Sequence, residues 1–424
     1  MTSTRDQKAD CPGPGAFPRL PEEWSTATTA VHAGHVRTGF QEMSEALFLT
    51  QGYVYDSPRE AAAAFDGDLD RFTYSRYENP TVTMFEERMA ALEGAEACYA
   101  TATGMAAIFA AFAAVLRQGS RVVAARAIFG STITLLDDVF AKWGVHTDYV
   151  DAADIDSWAA ALATPADIVF FETPSNPMHD IVDVAAVSRL AKAAGAMVVV
   201  DNVLATPVLQ RPLPMGADII VYSATKHIDG QGRTLGGAVL GSEEFVRGPL
   251  QQVLRTTGPS LSPFNAWVLL KGLETLPLRV RHASAQSLEL ARWLEARPEI
   301  AAVHYPFLDS HPHAALAREQ MSGGGTVVTF DLAGRGGGLA TTEETFAFLE
   351  ALRLIAISNN LGDSKSMITH PATTTARRLG PEGQAATGIS AATVRLSVGL
   401  EDLVDLQSDI DAALAEVHPP RYAA

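Results

Sequence analysis

The chain has 424 residues, of which 47% are hydrophobic and 19% charged, a balance typical of a globular protein with two or three domains. Its formal net charge of -17 argues against nucleic acid or an anionic membrane as a partner, because either requires a basic surface. The two cysteines, Cys11 and Cys98, are too few for a disulfide framework and lack metal-site spacing, so we expect no metal and a reducing, cytoplasmic environment.

The first 72 residues are predicted to form an N-terminal arm. Residues 1–24 are rich in proline, glycine and charge, which favours a mobile segment, and they lack the apolar stretch of a signal peptide. Residues 25–71 show no clear helical or strand periodicity. Since a segment of that length usually builds a site or wraps a neighbouring subunit, we expect it to contact a partner chain.

The next motif, YSRYENPT at residues 74–81, leads into a predicted helix that begins at Pro80 with Asn79 as its cap. Tyr74 and Arg76 lie outside the apolar pattern of that helix. An arginine followed by hydroxyls favours phosphate recognition, because a guanidinium presents paired donors to an oxyanion. A surface salt bridge is the ordinary alternative for Arg76.

Strands then alternate with helices, which indicates a mostly parallel sheet joined by crossover helices. In TATGMAA, Gly104 stands at a helix start, where backbone amides can approach an anion. Phe129 follows the strand RVVAA and would lie at the ligand edge of the sheet, stacked on a planar ring, unless it is buried in the core. The longest apolar tract, residues 105–116, is too short to span a bilayer.

Three more strands of this region end in polar residues. DIVFFETPSNP breaks into a proline-rich turn that carries Glu172 and Asn176. MVVVD ends in Asp201, and the next strand, in DIIVYSATK, leads to Lys226, one of only six lysines in the chain. In open α/β sheets that edge binds ligands.

A lysine at that edge can form a Schiff base with a substrate carbonyl or with pyridoxal phosphate (PLP), provided that burial or a nearby cation lowers its pKa. A carboxylate such as Asp201 can hold a pyridine nitrogen protonated, which makes the ring an electron sink. The alternatives are a solvated lysine and a capping carboxylate. The chain has no GxGxxG that follows a strand and opens a helix, so a nicotinamide site is not predicted.

The composition changes near residue 261, which divides the chain into a large domain at residues 73–260 and a smaller α+β domain at 261–424. The smaller domain is predicted to start with two amphipathic helices, at residues 262–276 and 280–294, followed by short strands.

Arg395 lies in the middle of the last predicted strand, TVRLSV. An arginine in an apolar strand must be paired or bind a ligand, because an unpaired buried charge costs several kcal/mol. Its partner is either an internal carboxylate or the α-carboxylate of a substrate, and Ser358 to Asn360 could help to hold the same anion.

The order of these segments resembles a known family. YSRYENPT, TATGMAA, ETPSNP, VVVDN, YSATKH and TVRLSVG are together similar to the Cys/Met-metabolism family of PLP-dependent enzymes, of fold type I, over nearly the whole chain. The resemblance implies a seven-stranded, mostly parallel central sheet with helices on both faces, a smaller C-terminal domain and an N-terminal arm. It also implies a homotetramer built as a dimer of dimers.

The same resemblance implies a role for each motif residue. Lys226 would form the Schiff base and move protons, and Asp201 would pair with the pyridinium nitrogen. Arg395 would bind the substrate α-carboxylate together with Asn176 and Ser358. The cofactor phosphate would be held by Gly104, Met105, Ser223 and Thr225, and from a neighbouring subunit by Tyr74 and Arg76.

Three positions depart from the family pattern. Phe129 replaces the usual stacking tyrosine, Glu78 replaces a glycine, and Ser131 stands where the methionine-degrading lyases carry a cysteine. SATKHIDGQGR, LKGLETLPLR and the Phe129 position most resemble the O-succinylhomoserine sulfhydrylase branch of the family, which implies homocysteine synthesis from an acylhomoserine and sulfide, a step in methionine biosynthesis.

The sequence leaves other activities of this family open. An O-acetylhomoserine sulfhydrylase would differ in the ester, and a cystathionine γ-synthase would use cysteine in place of sulfide. A methionine γ-lyase and a catalytically inactive homologue are further alternatives.

Overall fold

The computed structural model of the protein describes residues 24–417, so the mobile segment predicted at residues 1–24 lies outside the described residues except for Trp24. The strands, β1 to β12 in chain order, are Ala97–Thr101, Arg121–Ala125, His146–Val150, Ile168–Glu172, Met197–Asp201, Ile219–Ser223, Gly237–Gly241, Ile300–His304, Val327–Leu332, Ala356–Ile357, Met367–Thr369 and Thr393–Ser397. The helices, α1 to α15, are Thr26–His32, Pro58–Asp66, Pro80–Glu93, Gly104–Ala113, Gly130–Thr134, Ile155–Ala161, Val184–Ala193, Thr206–Leu209, Glu243–Phe245, Gln251–Thr257, Pro263–Glu295, Ala314–Gln320, Thr342–Ala351, Gly380–Ala386 and Leu403–Val417.

The larger sheet has seven strands in the order β1-β7-β6-β5-β4-β2-β3. Strand β7 runs antiparallel to β1 and β6, and the other neighbouring pairs are parallel. This confirms the predicted mostly parallel α/β sheet. All five residues of β4 are buried, as expected of a strand covered on both faces. The carboxyl ends of β2, β4, β5 and β6 therefore meet along one edge, where open α/β sheets bind ligands.

The second sheet has five strands in the order β10-β11-β12-β9-β8 and is antiparallel except for the β10-β11 pair. Its own hydrophobic cluster includes Phe330, Phe348 and Val394, all fully buried. This agrees with the predicted smaller α+β unit, while the boundary between residues 260 and 261 stays a prediction.

One long helix replaces the two helices predicted at residues 262–276 and 280–294. Helix α11 runs without interruption through Pro277. A proline inside a helix removes one backbone hydrogen bond and strains the preceding turn. Here the first half of α11 packs in the larger core and its end, including Leu290, packs in the smaller one. Burial along both halves offsets the cost of the proline, so the predicted break was wrong.

The segment at residues 25–71 contains two helices that its sequence pattern did not indicate. Helices α1 and α2 are seven and nine residues long, and Ser25 and Ser57 cap their first turns. Such short helices show too few turns for a periodic signal. Helix α1 packs against α3 and α11 of the same chain. Contact of this arm with a partner chain stays a prediction.

Helix α11 also packs closely on the loop that follows β6. A Cβ atom at Gly272 would lie 2.1 Å from the carbonyl oxygen of Ile228, so only glycine permits this approach. Arg279, two helical turns further on, donates to the carbonyls of His227 at 2.8 Å and Gly272 at 2.7 Å. The helix thereby fixes the backbone directly after Lys226. None of the helices within residues 24–417 has the length and apolar character needed to cross a bilayer.

Candidate active site

A cavity of about 240 Å³ opens at the carboxyl edge of the larger sheet. Its walls come from the ends of β4, β5 and β6, from the start of α4, and from β12 of the smaller sheet. Nine of the residues predicted from the sequence to form a site line this cavity: Gly104, Met105, Phe129, Asn176, Asp201, Ser223, Thr225, Lys226 and Arg395. The fold therefore brings together residues that are up to 291 positions apart, from 104 to 395.

Lys226 follows β6 and is only partly exposed. Its Nζ donates to the Oδ1 atom of Asn360, which comes from the smaller α+β unit. Burial lowers the pKa of Lys226 to about 8, helped by the positive charge of Arg395 and opposed by the negative charge of Asp201. An amine with that pKa is substantially neutral near pH 8, which is the form that attacks a carbonyl.

Two carboxyl groups stand side by side at the ends of β4 and β5. Glu172 pairs with Asp201 in the register of these parallel strands. The Oδ1 atom of Asp201 accepts from the backbone nitrogen of Val203 at 3.0 Å. Burial raises the pKa of Asp201 to about 7, against the stabilising effects of the Val203 amide and the Lys226 charge. A carboxylate so placed can hold a cationic ring nitrogen.

The start of α4 comes very close to β6. A Cβ atom at Gly104 would lie 2.6 Å from the Cβ atom of Ser223, so a side chain at position 104 would collide with the strand. Met105 lies in the same first turn, and the Oγ1 atom of Thr225 accepts from the backbone nitrogen of Gly236 at 3.1 Å. A helix N-terminus beside two hydroxyl groups favours an anion with several oxygens.

Arg395 reaches from β12 to the turn that follows β4. Its Nη1 donates to Asn176 Oδ1 at 3.1 Å, and its Nη2 donates to the carbonyls of Asn359 and Asn360, each at 2.9 Å. Its Nε is buried and has no hydrogen-bond partner among the described residues. No carboxylate of residues 24–417 pairs with Arg395, so the internal salt bridge, one of the two alternatives for this arginine, is absent there, and an anionic ligand can take its place.

Comparison with known proteins decides the family. The sequence model of the family named Cys/Met metabolism PLP-dependent enzyme matches residues 27–415 of this chain. The chain belongs to this family. It is 55% identical to an O-succinylhomoserine sulfhydrylase of Mycobacterium tuberculosis, over 93% of this chain and 97% of that protein. An O-succinylhomoserine sulfhydrylase of Pseudomonas aeruginosa is 49% identical, over 92% of this chain and 94% of that protein.

A solved structure resembles the chain in the same way. The putative O-acetylhomoserine (thiol)-lyase of Campylobacter jejuni superimposes with a TM-score of 0.87 at 30% identity, covering 92% of this chain and all of that one. That structure contains N'-pyridoxyl-lysine-5'-monophosphate. Together with the family match, this confirms the predicted fold type and PLP as the cofactor of the family.

The residues around the cavity fit PLP. The cofactor needs an amine, a carboxylate for its ring nitrogen and an anion site for its phosphate. The chain offers Lys226 and Asp201 in one cavity, and the helix start at Gly104, beside Ser223, lines the same cavity. Phe129 lies between β2 and α5 with 37% of its surface exposed, and it lines the same cavity. An aromatic ring in that place can cover a planar cofactor.

Tyr74 and Arg76 do not line this cavity. Arg76 donates to the carbonyl of Arg255, and its guanidinium carbon lies 4.6 Å from the centre of the Tyr77 ring. It borders a separate open cleft, formed with Arg255 and residues 256–258. Within one chain, the two residues therefore do not line the cavity that contains the other members of the predicted phosphate site, and their contribution to a neighbouring subunit stays a prediction.

Glu78, the departure from the family pattern beside Arg76, forms an ion pair with Arg255 at 2.7 Å. Both side chains are partly exposed, so the pair contributes at most about 1 kcal/mol to folding. Its physical effect is to hold Arg255 against the Tyr77 ring, at 5.3 Å from the ring centre.

Sequence reasoning missed two contacts of the predicted site residues. Asn360 contacts the Nζ atom of Lys226, and Glu172 pairs with Asp201. The position of Glu172 at a strand end was a usable signal, because Asp201 was recognised by the same criterion. Asn360 lies in a loop, where no periodic pattern indicates contacts. Ser358 accepts from the backbone nitrogen of Asn360 at 3.4 Å and is not among the cavity-lining residues, so its substrate contact stays a prediction.

Proposed function

We propose that this protein is a PLP-dependent transferase that forms homocysteine from O-succinylhomoserine and sulfide by γ-replacement. The observation that carries the proposal is one cavity in which a lysine with a lowered pKa, Lys226, faces a buried arginine, Arg395, that has a free donor. The identity of 55% and 49% with O-succinylhomoserine sulfhydrylases, over nearly the full length of both, supports this choice of reaction.

Lys226 would hold the cofactor through its Nζ atom, and Asp201 would hold the pyridine nitrogen. Gly104, Met105, Ser223 and Thr225 would hold the phosphate, and Phe129 would cover the ring; these residues share one cavity. When bound, PLP supplies the electron withdrawal that makes the hydrogens of Cα and Cβ of an amino acid acidic.

The substrate is oriented through its α-carboxylate. Arg395 offers its unpaired Nε to this carboxylate, while three hydrogen bonds from its Nη1 and Nη2 atoms hold it to Asn176, Asn359 and Asn360. Because the guanidinium is fixed by three protein hydrogen bonds, little conformational freedom is lost when the carboxylate binds. The contact between Nε of Arg395 and the α-carboxylate therefore selects amino acid substrates.

Lys226 is the residue that would transfer protons. When it is not bonded to the cofactor, the Nζ atom would act as a base, because burial lowers the pKa of Lys226 to about 8. It takes the proton from Cα and moves protons onward to allow departure of the γ-substituent. Phe129 has no hydroxyl group to protonate a leaving group, which suits a carboxylate such as succinate, since succinate leaves without strong acid assistance.

Two residues of the site, Tyr74 and Arg76, would come from a second copy of the chain. Tyr74 and Arg76 lie outside the cavity of their own chain. The arm that precedes them exposes large apolar side chains, including Phe40 at 95% and Val54 at 89% exposed. Such a patch favours burial against protein. We infer a dimer in which Tyr74 and Arg76 reach the partner's phosphate site, and a tetramer of two such dimers.

We further infer that the reaction takes place in the cytoplasm. Cys98 is a free, buried thiol, and burial raises its pKa well above the ordinary value, which protects the thiol from oxidation. A chain with two cysteines in 424 residues has no need of an oxidising compartment.

The test is a product assay on the purified holoenzyme. O-succinylhomoserine and sulfide should give homocysteine and succinate in equal amounts, and the value of kcat/KM for this ester should exceed that for O-acetylhomoserine. Cystathionine from added cysteine at a higher rate would favour a cystathionine γ-synthase. Ammonia and a 2-oxo acid without any nucleophile would indicate a γ-lyase.

A matched pair of lysine variants checks the role of Lys226. K226A should abolish turnover and the borohydride-stable attachment of the cofactor, whereas K365A, at an exposed lysine, should retain both. Full turnover by K226A would refute the mechanism. Absence of visible absorbance from bound PLP in the wild-type protein would favour a catalytically inactive homologue.

A further inference from the structure

A second carboxyl group accompanies Asp201 at the cofactor edge of the sheet. Glu172 ends β4 as Asp201 ends β5, and the two residues are direct partners in the strand register. Neighbouring strands lie about 4.8 Å apart, and paired residues of parallel strands point to the same face. Both side chains line the cavity. The proposed mechanism uses Asp201 and gives Glu172 no role.

Glu172 is hydrogen-bonded to the backbone of Phe129, the residue that carries the aromatic ring. Its Oε1 atom accepts from the backbone nitrogen of Phe129 at 2.6 Å. Phe129 is the residue that precedes α5, and no side chain caps that helix. The carboxyl group thus fixes the backbone from which the Phe129 ring projects toward the cavity. Without it, a partly buried amide at this place would lose its acceptor.

The surroundings of Glu172 favour its neutral form. It is only 5% exposed and forms no ion pair with a lysine or arginine of residues 24–417. Burial and the charge of Asp201 raise the pKa of Glu172 well above its ordinary value, against the backbone amides of Phe129 and Asn176. Asp201, in contrast, faces the positive charge of Lys226.

We propose that Glu172 is a positioning residue: as a neutral acid, it holds the Phe129 backbone in place for ring stacking and leaves the negative charge of the pair on Asp201. A second negative charge would compete with Asp201 for the proton on the ring nitrogen. Ionising both carboxyl groups would also cost more free energy than ionising one, because two like charges in a buried site repel each other. The neutral carboxyl group avoids this repulsion and still accepts the Phe129 hydrogen bond through its carbonyl oxygen. The inference rests on the proposed cofactor site and not on the choice of ester.

The test compares two substitutions of similar size. E172Q keeps a neutral side chain with an oxygen acceptor, whereas E172L has no acceptor. Apo-protein of each variant is titrated with PLP, and the absorbance of the bound cofactor is followed from pH 6 to pH 9. We expect E172Q to bind PLP within about twofold of wild type with an unchanged pH profile, and E172L to bind about tenfold more weakly.

Either of two results would overturn the inference. Wild-type affinity in E172L would show that the Phe129 hydrogen bond positions nothing. A shift of the absorbance profile of E172Q by about one pH unit or more would show that the native side chain carries a charge. Should E172L not fold, the infrared carbonyl band of a protonated carboxylic acid decides the protonation state, because it must be present in wild type and missing from E172Q.

These measurements are independent of the assay for the proposed function. Wild-type protein that binds PLP but makes no homocysteine would refute the sulfhydrylase assignment and leave the Glu172 comparison intact. Wild-type protein that makes homocysteine while E172L matches it in PLP affinity would refute only the role of Glu172.

Discussion

Replacing Arg395 with lysine tests how the cavity recognises an amino acid. The native guanidinium makes three hydrogen bonds, to Asn176 at 3.1 Å and to the carbonyls of Asn359 and Asn360 at 2.9 Å, and keeps Nε free. Although burial lowers the pKa of Arg395 to about 10, the group stays charged at the pH of the assay. A lysine retains the charge but cannot reach these acceptors and a substrate carboxylate at once.

The expected cost follows from the contact that is lost. A hydrogen bond between a charged donor and a carboxylate contributes about 1.5–3 kcal/mol. A loss of about 2 kcal/mol corresponds to a decrease of about 30-fold in kcat/KM. Because the α-carboxylate is held equally in the ground state and the transition state, the decrease should appear mainly as a higher KM for the acylhomoserine, with kcat changed by less than about threefold.

Initial rates of homocysteine formation, measured over a range of ester concentrations at saturating sulfide, separate KM from kcat. R292K is the matched control, because Arg292 is exposed on α11 and, among residues 24–417, pairs only with its neighbour Glu289 on the same helix. The control should match wild type within about twofold. A wild-type KM in R395K, with unchanged thermal stability, would refute the assignment of Arg395 to the α-carboxylate.

Three further predictions concern buried groups. Burial lowers the pKa of Lys226 to about 8, so the rate at which apo-protein binds PLP should rise as pH increases through 8, in stopped-flow absorbance, and a rate independent of pH would contradict this. Burial raises the pKa of Glu93 from 4.5 to about 8, so the folded state keeps a proton that the unfolded chain releases in this range. In urea unfolding, wild type should therefore lose stability relative to E93Q as pH rises from about 5 to 8, by at most about 1.4 kcal/mol per pH unit. Parallel pH dependences of the two proteins would contradict this. R279M should lower the free energy of unfolding by about 3 kcal/mol and reduce PLP occupancy, because the carbonyl of His227 loses its buried donor. R281M, at an exposed arginine, is the control. Equal effects of the two substitutions would argue against a specific role of Arg279.

Local sequence signals predicted the elements that local physics controls. Helix α3 begins after Asn79 and ends at Glu93, just before Gly94, as these cap residues indicate. The strands that end at Asp201 and carry the chain toward Lys226 have the predicted positions. These signals are strong because a cap or an alternating strand depends on residues within one or two turns of the chain.

Predictions that depend on distant contacts were weaker. The break expected before Val280 is absent, because α11 is buried along both halves by residues far away in the sequence. Helices α1 and α2 were missed because each is too short for a periodic pattern. The internal salt bridge considered for Arg395 is absent from the described residues, since backbone carbonyls and an amide oxygen take its place.

The sequence by itself determined the family, the order of the elements and the identity of the groups that can perform the chemistry, because motifs and strand ends are encoded in contiguous residues. Only the tertiary structure decided which groups meet: Asn360 with Lys226, and Glu172 with Asp201. The register of β4 on β5 fixes the second pair, and hydrogen bonds such as Lys226 to Asn360 and Arg395 to Asn176 join the smaller unit to the larger one. The pKa of each group follows from that burial, and no local pattern in the chain can specify it.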